Sequence, residues 1–433
     1  MKVSRFCTAV VGVGLLMSTS WWTAPAWAYD PAPPSATIVP THLPSPHGGT
    51  TTVGQGLQQS NDNAQLAESI PAQVRPDWAA APSALSCLNE DRELTTRTTA
   101  TNGKYTAVLS TATCSRISVY RTSSGKKVWR KAFFEVRSIV SDGKFVYAYT
   151  EDINGRDHIE AFKISSGKRQ WRHRASSSPD NLVVGSGVVV NGYQVLDAKS
   201  GKLKYYLPEP TGETSNDPFT LVVGGRLYRN TNAEVGAWTV AGKLLWLYTK
   251  TGDYFEGPGE GESLVQFHAG RVYVREATAD EKPTLVLDAE TGAKLGELPF
   301  TAQPLAFDGT VGIFTHRHWS DNDRVSLQAV DLNDSHVYWT KTFVAENAEA
   351  RMSLLTPPVI ENGLVWFNAD DPAGGRSNLV ALDEVSGQQQ SSTSLACRLK
   401  GHHSDGAAFG TIGVAQHRLF VPSTCGLQTF TAR

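Results

Sequence analysis

Short apolar runs of β type alternate with polar turns along most of this chain, and one unit of that pattern recurs. The unit is a β run, a turn ending in Gly or a substitute, and a second β run that often carries Trp. The turn position returns about every forty residues, at Gly125, Gly167, Gly201, Gly242, Gly292, Ser335 and Gly387. A period near forty in an all-β pattern predicts a repeat fold of four-stranded blades, a β-propeller.

The copy between residues 357 and 391 predicts how one blade is built. It contains three β runs, two turns with Gly at the position that favours positive φ, and the start of a fourth run. In order, these are strand Pro358–Ile360, turn Glu361–Gly363, strand Leu364–Asn368, strand Asn378–Asp383, turn Asp383–Gly387, and an outer strand from Gln388. The sequence therefore predicts four antiparallel strands per repeat.

Aromatic residues on the outer strand have a structural interpretation. A large ring at this position can fill the gap between adjacent twisted sheets, and the Trp residues concerned are Trp129, Trp171, Trp246 and Trp339. The fourth and sixth turns depart from the pattern, with Val240-Ala241-Gly242 and Asn333-Asp334-Ser335. Because Asn and Asp tolerate left-handed φ, we expect the sixth turn to close as well.

The number of blades follows from counting outer strands. Seven follow the turn positions, and the last copy, Ala407–Thr431, stops after three strands. An N-terminal strand from Ala81–Ser86 can complete it and remove two exposed sheet edges. We therefore predict an all-β, eight-bladed propeller of four-stranded antiparallel blades, closed by an N-terminal strand.

Three segments are predicted along the chain. Residues 1–28 have the basic start, the apolar run and the small residues before Ala28 that are typical of a signal peptide cleaved after Ala28. A membrane anchor is the alternative, but the apolar run is shorter than the ~20 residues that a span needs. Residues 29–80 are rich in Pro, Ser and Thr and predict a disordered linker, and residues 81–433 form the propeller domain. We expect a secreted, extracytoplasmic protein.

Four cysteines follow the predicted signal peptide as two similar pairs. Sequence around Cys87 resembles that around Cys397, and sequence around Cys114 resembles that around Cys425. This internal similarity favours disulfides Cys87–Cys114 and Cys397–Cys425 among the three possible connectivities, in an oxidising compartment. Buried free thiols are the alternative.

The repeat, Ala/Val-x-Asp-x-x-Thr/Ser-Gly-Lys-x-x-Trp, resembles that of the pyrroloquinoline-quinone-like (PQQ-like) β-propellers, from about Asn102 to Arg433. That resemblance implies either a quinone-dependent dehydrogenase or a cofactor-free scaffold, such as the lipoprotein of the outer-membrane assembly machinery. The dehydrogenases resemble one another in long inserted loops, an acidic base with calcium, and often an adjacent Cys pair. This chain has no adjacent cysteines.

Composition and motifs narrow the function further. A formal charge of −2 disfavours nucleic-acid partners, and no Gly-x-Ser-x-Gly, His-Glu-x-x-His or phosphate-loop motif occurs. One polar loop is a candidate binding site. Two imidazoles at i and i+2 could hold a transition metal there, although a solvated connection is the simpler interpretation. Its residues are His316, His318, Trp319, Asp321 and Asp323.

The sequence therefore predicts a monomeric, exported, non-catalytic binding or scaffold propeller, with no catalytic residue, metal or cofactor and no membrane span after the leader. Its partner would be a protein, a peptide or a glycan, held by the longest polar loops. A quinone-dependent dehydrogenase with PQQ and calcium and a cell-envelope assembly scaffold remain the alternatives. The loops concerned are Glu151–Asp157, Asp253–Glu262, Thr315–Asp323 and Ala369–Ser377.

Overall fold

Every element that the structure describes is a β-strand, and together these strands form eight antiparallel sheets arranged as an eight-bladed propeller. This confirms the predicted fold class. The computed structural model describes residues 51–52, 74–80, 95–101, 103–111, 114–175, 182–208, 219–231, 233–250, 265–275, 283–298, 303–317, 324–344, 358–370, 377–395, 412–415, 418–423 and 426–432.

The first four blades each use four consecutive strands, which we label a to d from the central channel outward. Blade 1 contains β3 (Thr95–Thr101), β4 (Tyr105–Thr111), β5 (Ser115–Arg121) and β6 (Lys127–Phe133). Blade 2 contains β7 (Glu135–Ser141), β8 (Phe145–Glu151), β9 (Asp157–Lys163) and β10 (Arg169–Arg174). Blade 3 contains β11 (Leu182–Gly185), β12 (Val188–Asn191), β13 (Gln194–Asp197) and β14 (Leu203–Tyr206). Blade 4 contains β15 (Phe219–Val223), β16 (Arg226–Asn230), β17 (Glu234–Thr239) and β18 (Leu244–Thr249).

The remaining blades include two contributions from the N-terminal region. Blade 5 contains β19 (Val265–His268), β20 (Arg271–Arg275), β21 (Thr284–Asp288) and β22 (Lys294–Leu298). Blade 6 contains β23 (Gln303–Asp308), β24 (Val311–Arg317), β25 (Arg324–Asp331) and β26 (Val337–Val344), and the short β1 (Thr51–Thr52) pairs with β23. Blade 7 contains β27 (Val359–Glu361), β28 (Leu364–Asp370), β29 (Ser377–Asp383) and β30 (Gln389–Ser394). Blade 8 contains β31 (Gly413–Ala415), β32 (Arg418–Ser423), β33 (Gly426–Ala432) and β2 (Val74–Ala80).

Blade 8 closes the ring by strand exchange, as predicted, but with an earlier segment. Its outer strand is β2, which runs antiparallel to β33, whereas we expected Ala81–Ser86, which lies outside the described residues. The sequence analysis included this stretch, with Pro76 in it, in the linker 29–80. Pro is tolerated in an edge strand, where one side of the backbone needs no ladder bond. Part of the predicted linker 29–80 is thus strand, while the remaining segment boundaries stay predictions.

Neighbouring blades are joined by contacts between an outer-strand aromatic ring and a turn glycine. The Trp171 indole donates a 3.0 Å hydrogen bond to the Ala198 carbonyl, and a Cβ on Gly201 would lie 2.4 Å from Trp171 Cδ2. Four other outer-strand rings donate the same hydrogen bond, in each case to the carbonyl of the residue three positions before the turn glycine. The pairs are Trp129 with Ile164, Tyr205 with Thr239, Trp246 with Ala289, and Trp339 with Glu384. The predicted role of these residues in filling the gap between sheets is confirmed.

The sixth turn closes in a different way from the one expected. The left-handed residue is Ser335, with φ of 64°, and neither Asn333 nor Asp334 takes that conformation. The turn is closed by a hydrogen bond from the Ser335 amide to the Asp331 carbonyl. This geometry requires a left-handed conformation at position 335, so the residue there must adopt it. The outer strand that precedes this turn in the ring has Gly296 opposite Val286, where blades 1 to 4 and blade 6 place an aromatic ring.

Candidate binding face

The two faces of the propeller differ in how their strands are connected. Strands a and c run in one direction and b and d in the other, so the a–b and c–d turns share one face, here called the turn face. The b–c and d–a connections share the opposite face, here called the loop face. Turn-face connections are short, such as residues 186–187 and 198–202, whereas loop-face connections include residues 207–218, 250–264, 345–358 and 395–412.

All four loops predicted to bind a partner begin and end on the loop face. Glu151–Asp157 joins β8 to β9, Thr315–Asp323 spans the connection from β24 to β25, and Ala369–Ser377 spans that from β28 to β29. Asp253–Glu262 lies between β18 and β19. Because the strand ends fix these attachment points, the antiparallel topology gathers on one face loops that are far apart in sequence.

The Glu151–Asp157 loop is the one of these four that the structure describes throughout, and it is internally bonded. The Asp152 carboxylate accepts backbone N–H bonds from Asn154 at 2.9 Å and Arg156 at 3.1 Å. Desolvation opposes these bonds, but together with nearby His158 and Arg172 they hold the pKa of Asp152 below its ordinary value. The loop is therefore a fixed structure that can present its tip to a partner.

Ion pairs flank the base of this loop. The Arg137 guanidinium lies 2.9 Å from the Glu151 carboxylate, and Arg172 lies 3.4 Å from Asp152. Arg172 also lies 2.9 Å from His158 Nδ1. Such partly exposed pairs contribute little stability individually, but they give this part of the loop face a polar border.

Two large apolar side chains are exposed beside these ion-paired residues. Ile153 at the loop tip is 80 % exposed and Phe134 is 52 % exposed. Glu135 pairs with Glu151 across β7 and β8, which places Phe134 and Ile153 at the same end of blade 2. Exposed apolar residues rimmed by polar groups are typical of protein-binding sites. Our sequence analysis missed both residues, since each is a single apolar residue in a connection.

A buried polar network supports the loop face of blade 4. The Arg229 side chain is fully buried beside Glu234 at 3.3 Å, donates to the Pro208 carbonyl at 2.5 Å, and packs over Trp238 at 5.1 Å. The Lys250 ammonium donates to the Thr231 carbonyl at 2.7 Å. Pro208 and Lys250 are the described residues from which connections 209–218 and 251–264 leave, so the network fixes the bases of both.

The predicted metal-type loop is only partly described. His316 lies on β24, where its backbone pairs with Ser326, and His318, Trp319, Asp321 and Asp323 lie outside the described residues. Within the described ranges, no group of three or more His, Cys, Asp or Glu side chains could hold a metal ion. The predictions on metal and cofactor therefore stay predictions.

Of the predicted disulfide cysteines, one is described. Cys114 is buried at the b–c connection of blade 1 and is disulfide-bonded. Cys87, Cys397 and Cys425 lie outside the described residues, so the proposed pairings stay predictions.

A search of the described residues for a membrane-spanning helix found none of sufficient length and hydrophobicity.

Eight four-stranded blades, five of which carry an outer-strand ring against the turn of the next blade, define the class, an eight-bladed propeller of PQQ-like repeats. Residues 73–246 and 231–426 both match the family model PQQ_2, described as outer membrane protein assembly factor BamB. These matches cover most of the chain, and the protein belongs to this family. No curated protein matches the chain.

Solved structures of several kinds share the fold. BamB from Moraxella catarrhalis is 14 % identical, with a TM-score of 0.55, over 83 % of this chain and 99 % of that one. A europium-containing methanol dehydrogenase is 11 % identical, with a TM-score of 0.57, over 86 % and 90 %. The computationally designed protein Ika8 is 14 % identical, with a TM-score of 0.54, over 79 % and 97 %. An assembly factor, an enzyme and a design match equally well, so the likeness shows the fold alone.

Proposed function

We propose that this protein is an exported, non-catalytic scaffold that binds a protein partner of the cell envelope through its loop face. The observation that carries the proposal is the exposure of Phe134 and Ile153 at one end of blade 2, beside ion-paired residues of the loop face. An apolar centre with a polar rim is how protein interfaces concentrate binding energy.

The family supports the envelope setting. Its model carries the description of an outer membrane assembly factor, and the first 28 residues have the pattern of a signal peptide. Export would also favour the proposed disulfides Cys87–Cys114 and Cys397–Cys425. A peptide or glycan partner would use the same face, but two exposed apolar side chains favour a folded protein surface.

The test is covalent capture from an envelope fraction with the exported protein and two variants. Phe134→Ser/Ile153→Asp changes the loop face, and Val385→Ser changes a residue that is 48 % exposed on the turn face. We expect the same protein to be cross-linked by the wild type and Val385→Ser but not by the double variant. Capture that is unchanged in the double variant would refute the assignment of this site.

The dehydrogenase alternative has its own readout. Protein loaded with pyrroloquinoline quinone and calcium would reduce an artificial dye in the presence of an alcohol or sugar. Quinone-dependent dye reduction that is lost when loop-face carboxylates are replaced would overturn the scaffold proposal in favour of an enzyme.

A further inference from the structure

The outer strands of blades 3 and 4 differ from those of blades 2 and 7. Strand β10 in blade 2 reads Arg-Gln-Trp-Arg-His-Arg, and β30 in blade 7 consists of Gln, Ser and Thr. Charged or polar side chains on an outer strand protect its open edge from unwanted association. By contrast, β18 reads Leu-Leu-Trp-Leu-Tyr-Thr and β14 reads Leu-Lys-Tyr-Tyr, so this protection is reduced on two adjacent blades.

The structure exposes these apolar side chains. Most large hydrophobic residues that are exposed among the described residues lie on these two strands, and together they form what we call the rim patch. Its members are Leu203 (39 % exposed), Tyr206 (57 %), Leu244 (49 %), Leu245 (37 %) and Leu247 (48 %). Trp246 between them is buried against the turn of blade 5, so the outward leucines are not needed for the contact between blades.

The charged residues beside the rim patch are mainly lysines. Exposed Lys202, Lys204 and Lys243 lie in or next to the two strands. Residues 239–250 contain no carboxylate, and residues 194–208 contain only Asp197, which accepts bonds from the backbone amide and hydroxyl of Ser200. A complementary partner must therefore be both apolar and anionic.

We infer that the rim patch docks on an anionic lipid surface. Leucine and tyrosine side chains inserted at a headgroup boundary, with lysines beside them, combine the two contributions that hold peripheral proteins on acidic membranes. The shape favours lipid over an added peptide strand. One added strand would cover the edge of β14 or β18, whereas the apolar side chains belong to both blades on the convex outer rim.

This inference concerns a surface other than the loop face, and it does not depend on the proposed partner. If the rim patch lies on the membrane, the loop face is not covered by lipid and stays accessible to a protein partner. Lipid binding would therefore add an attachment to the membrane surface without any membrane-spanning segment.

The experiment is co-sedimentation of the exported protein with phosphatidylglycerol vesicles and with phosphatidylcholine vesicles at low and high salt. We expect binding to the anionic vesicles that weakens with salt. Leu244→Gln/Leu247→Gln should lower the partition coefficient about tenfold or more. Lys202→Gln/Lys204→Gln/Lys243→Gln should lower it about a hundredfold and flatten the salt dependence. Unchanged far-ultraviolet circular dichroism and melting temperature would show that the variants fold.

Controls on other surfaces make the result specific. Val385→Gln on the turn face and Lys126→Gln/Lys127→Gln in blade 1 should leave vesicle binding within about twofold of wild type, because both lie outside the rim patch. Three outcomes would overturn the inference. They are no sedimentation with anionic vesicles, equal loss in the blade 1 variant, or a dimer in sedimentation velocity that Leu244→Gln/Leu247→Gln abolishes, which would make a second copy the occupant.

Discussion

Replacing Gly201 by Ala should destabilise the propeller far more than the same replacement at Gly187. Both glycines have positive φ, 69° and 78° respectively, so each substitution carries a similar backbone cost of about 1 kcal/mol. The sites differ in space. An added Cβ at Gly187 meets nothing within 4 Å, whereas at Gly201 it lies 2.4 Å from Trp171 Cδ2 and 2.5 Å from Cε3.

The additional cost at Gly201 can be worked from that contact. Trp171 is a rigid buried ring, so it must move away and strain or lose its hydrogen bond to Ala198. Overpacking adds about 1–3 kcal/mol and the hydrogen bond about 1 kcal/mol. We therefore expect a total of about 3–5 kcal/mol for Gly201→Ala and about 1 kcal/mol for Gly187→Ala.

Urea unfolding followed by tryptophan fluorescence measures both variants, and a double-mutant cycle identifies the cause. In a Trp171→Ala background the ring is absent, so Gly201→Ala should cost only the backbone term of about 1 kcal/mol. Equal destabilisation by Gly201→Ala and Gly187→Ala, or an undiminished cost without Trp171, would refute the role assigned to the aromatic-on-glycine contact.

Two further predictions concern pH and the cysteines. Burial, followed by the nearby Asp308 and Asp383, raises the pKa of Glu384 to about 7 from 4.5, and its Oε2 is buried without a partner among the described residues. The folded state thus favours the protonated Glu384 carboxyl. The stability that this protonation contributes is fully present below about pH 4.5 and is lost as pH rises to about 7. The free energy of unfolding of Glu384→Gln should accordingly match wild type near pH 4.5 and exceed it by about 1–2 kcal/mol at pH 8, after allowance for partial exposure. A difference in urea midpoints that does not change with pH would contradict this. Peptide mapping without reduction should find the disulfides Cys87–Cys114 and Cys397–Cys425. In the chain-entropy model each of them stabilises the folded state by about 3 kcal/mol. A peptide that links Cys87 to Cys397 would rule out this pairing.

The repeat made the fold predictable because its structural requirements are local. Gly387 must take positive φ to close its turn, and Asp383 must accept the amide of Ser386, and both are visible as residue types. The predicted turn at Asn362 and Gly363 also has positive φ at both positions. The closing strand was misplaced because Pro76 and the polar residues around it have low strand propensity. The strand at Val74–Ala80 pairs with β33 near the other end of the chain, which no local pattern reports.

The candidate site was less predictable than the fold. Loop length and polarity selected Glu151–Asp157, and topology then explained why it shares a face with the other three predicted loops. The exposure of Phe134 and Ile153 depends on how β7 and β8 end side by side, and the sequence contains no corresponding pattern. The rim patch was equally hard to predict. The apolar run around Leu247 is typical of a buried strand, and this side chain is exposed only because β18 is the outermost strand of its blade.

The central claim is that the loop face binds a protein, and the affinity of the captured partner tests it most directly. Biolayer interferometry would compare wild type, Phe134→Ser/Ile153→Asp and Val385→Ser, with matching melting temperatures as the control for folding. Loss of two central apolar contacts should weaken binding at least about thirtyfold, while Val385→Ser should bind like wild type. Equal affinity of all three proteins would contradict the account, and selective loss in Val385→Ser would move the binding site to the turn face.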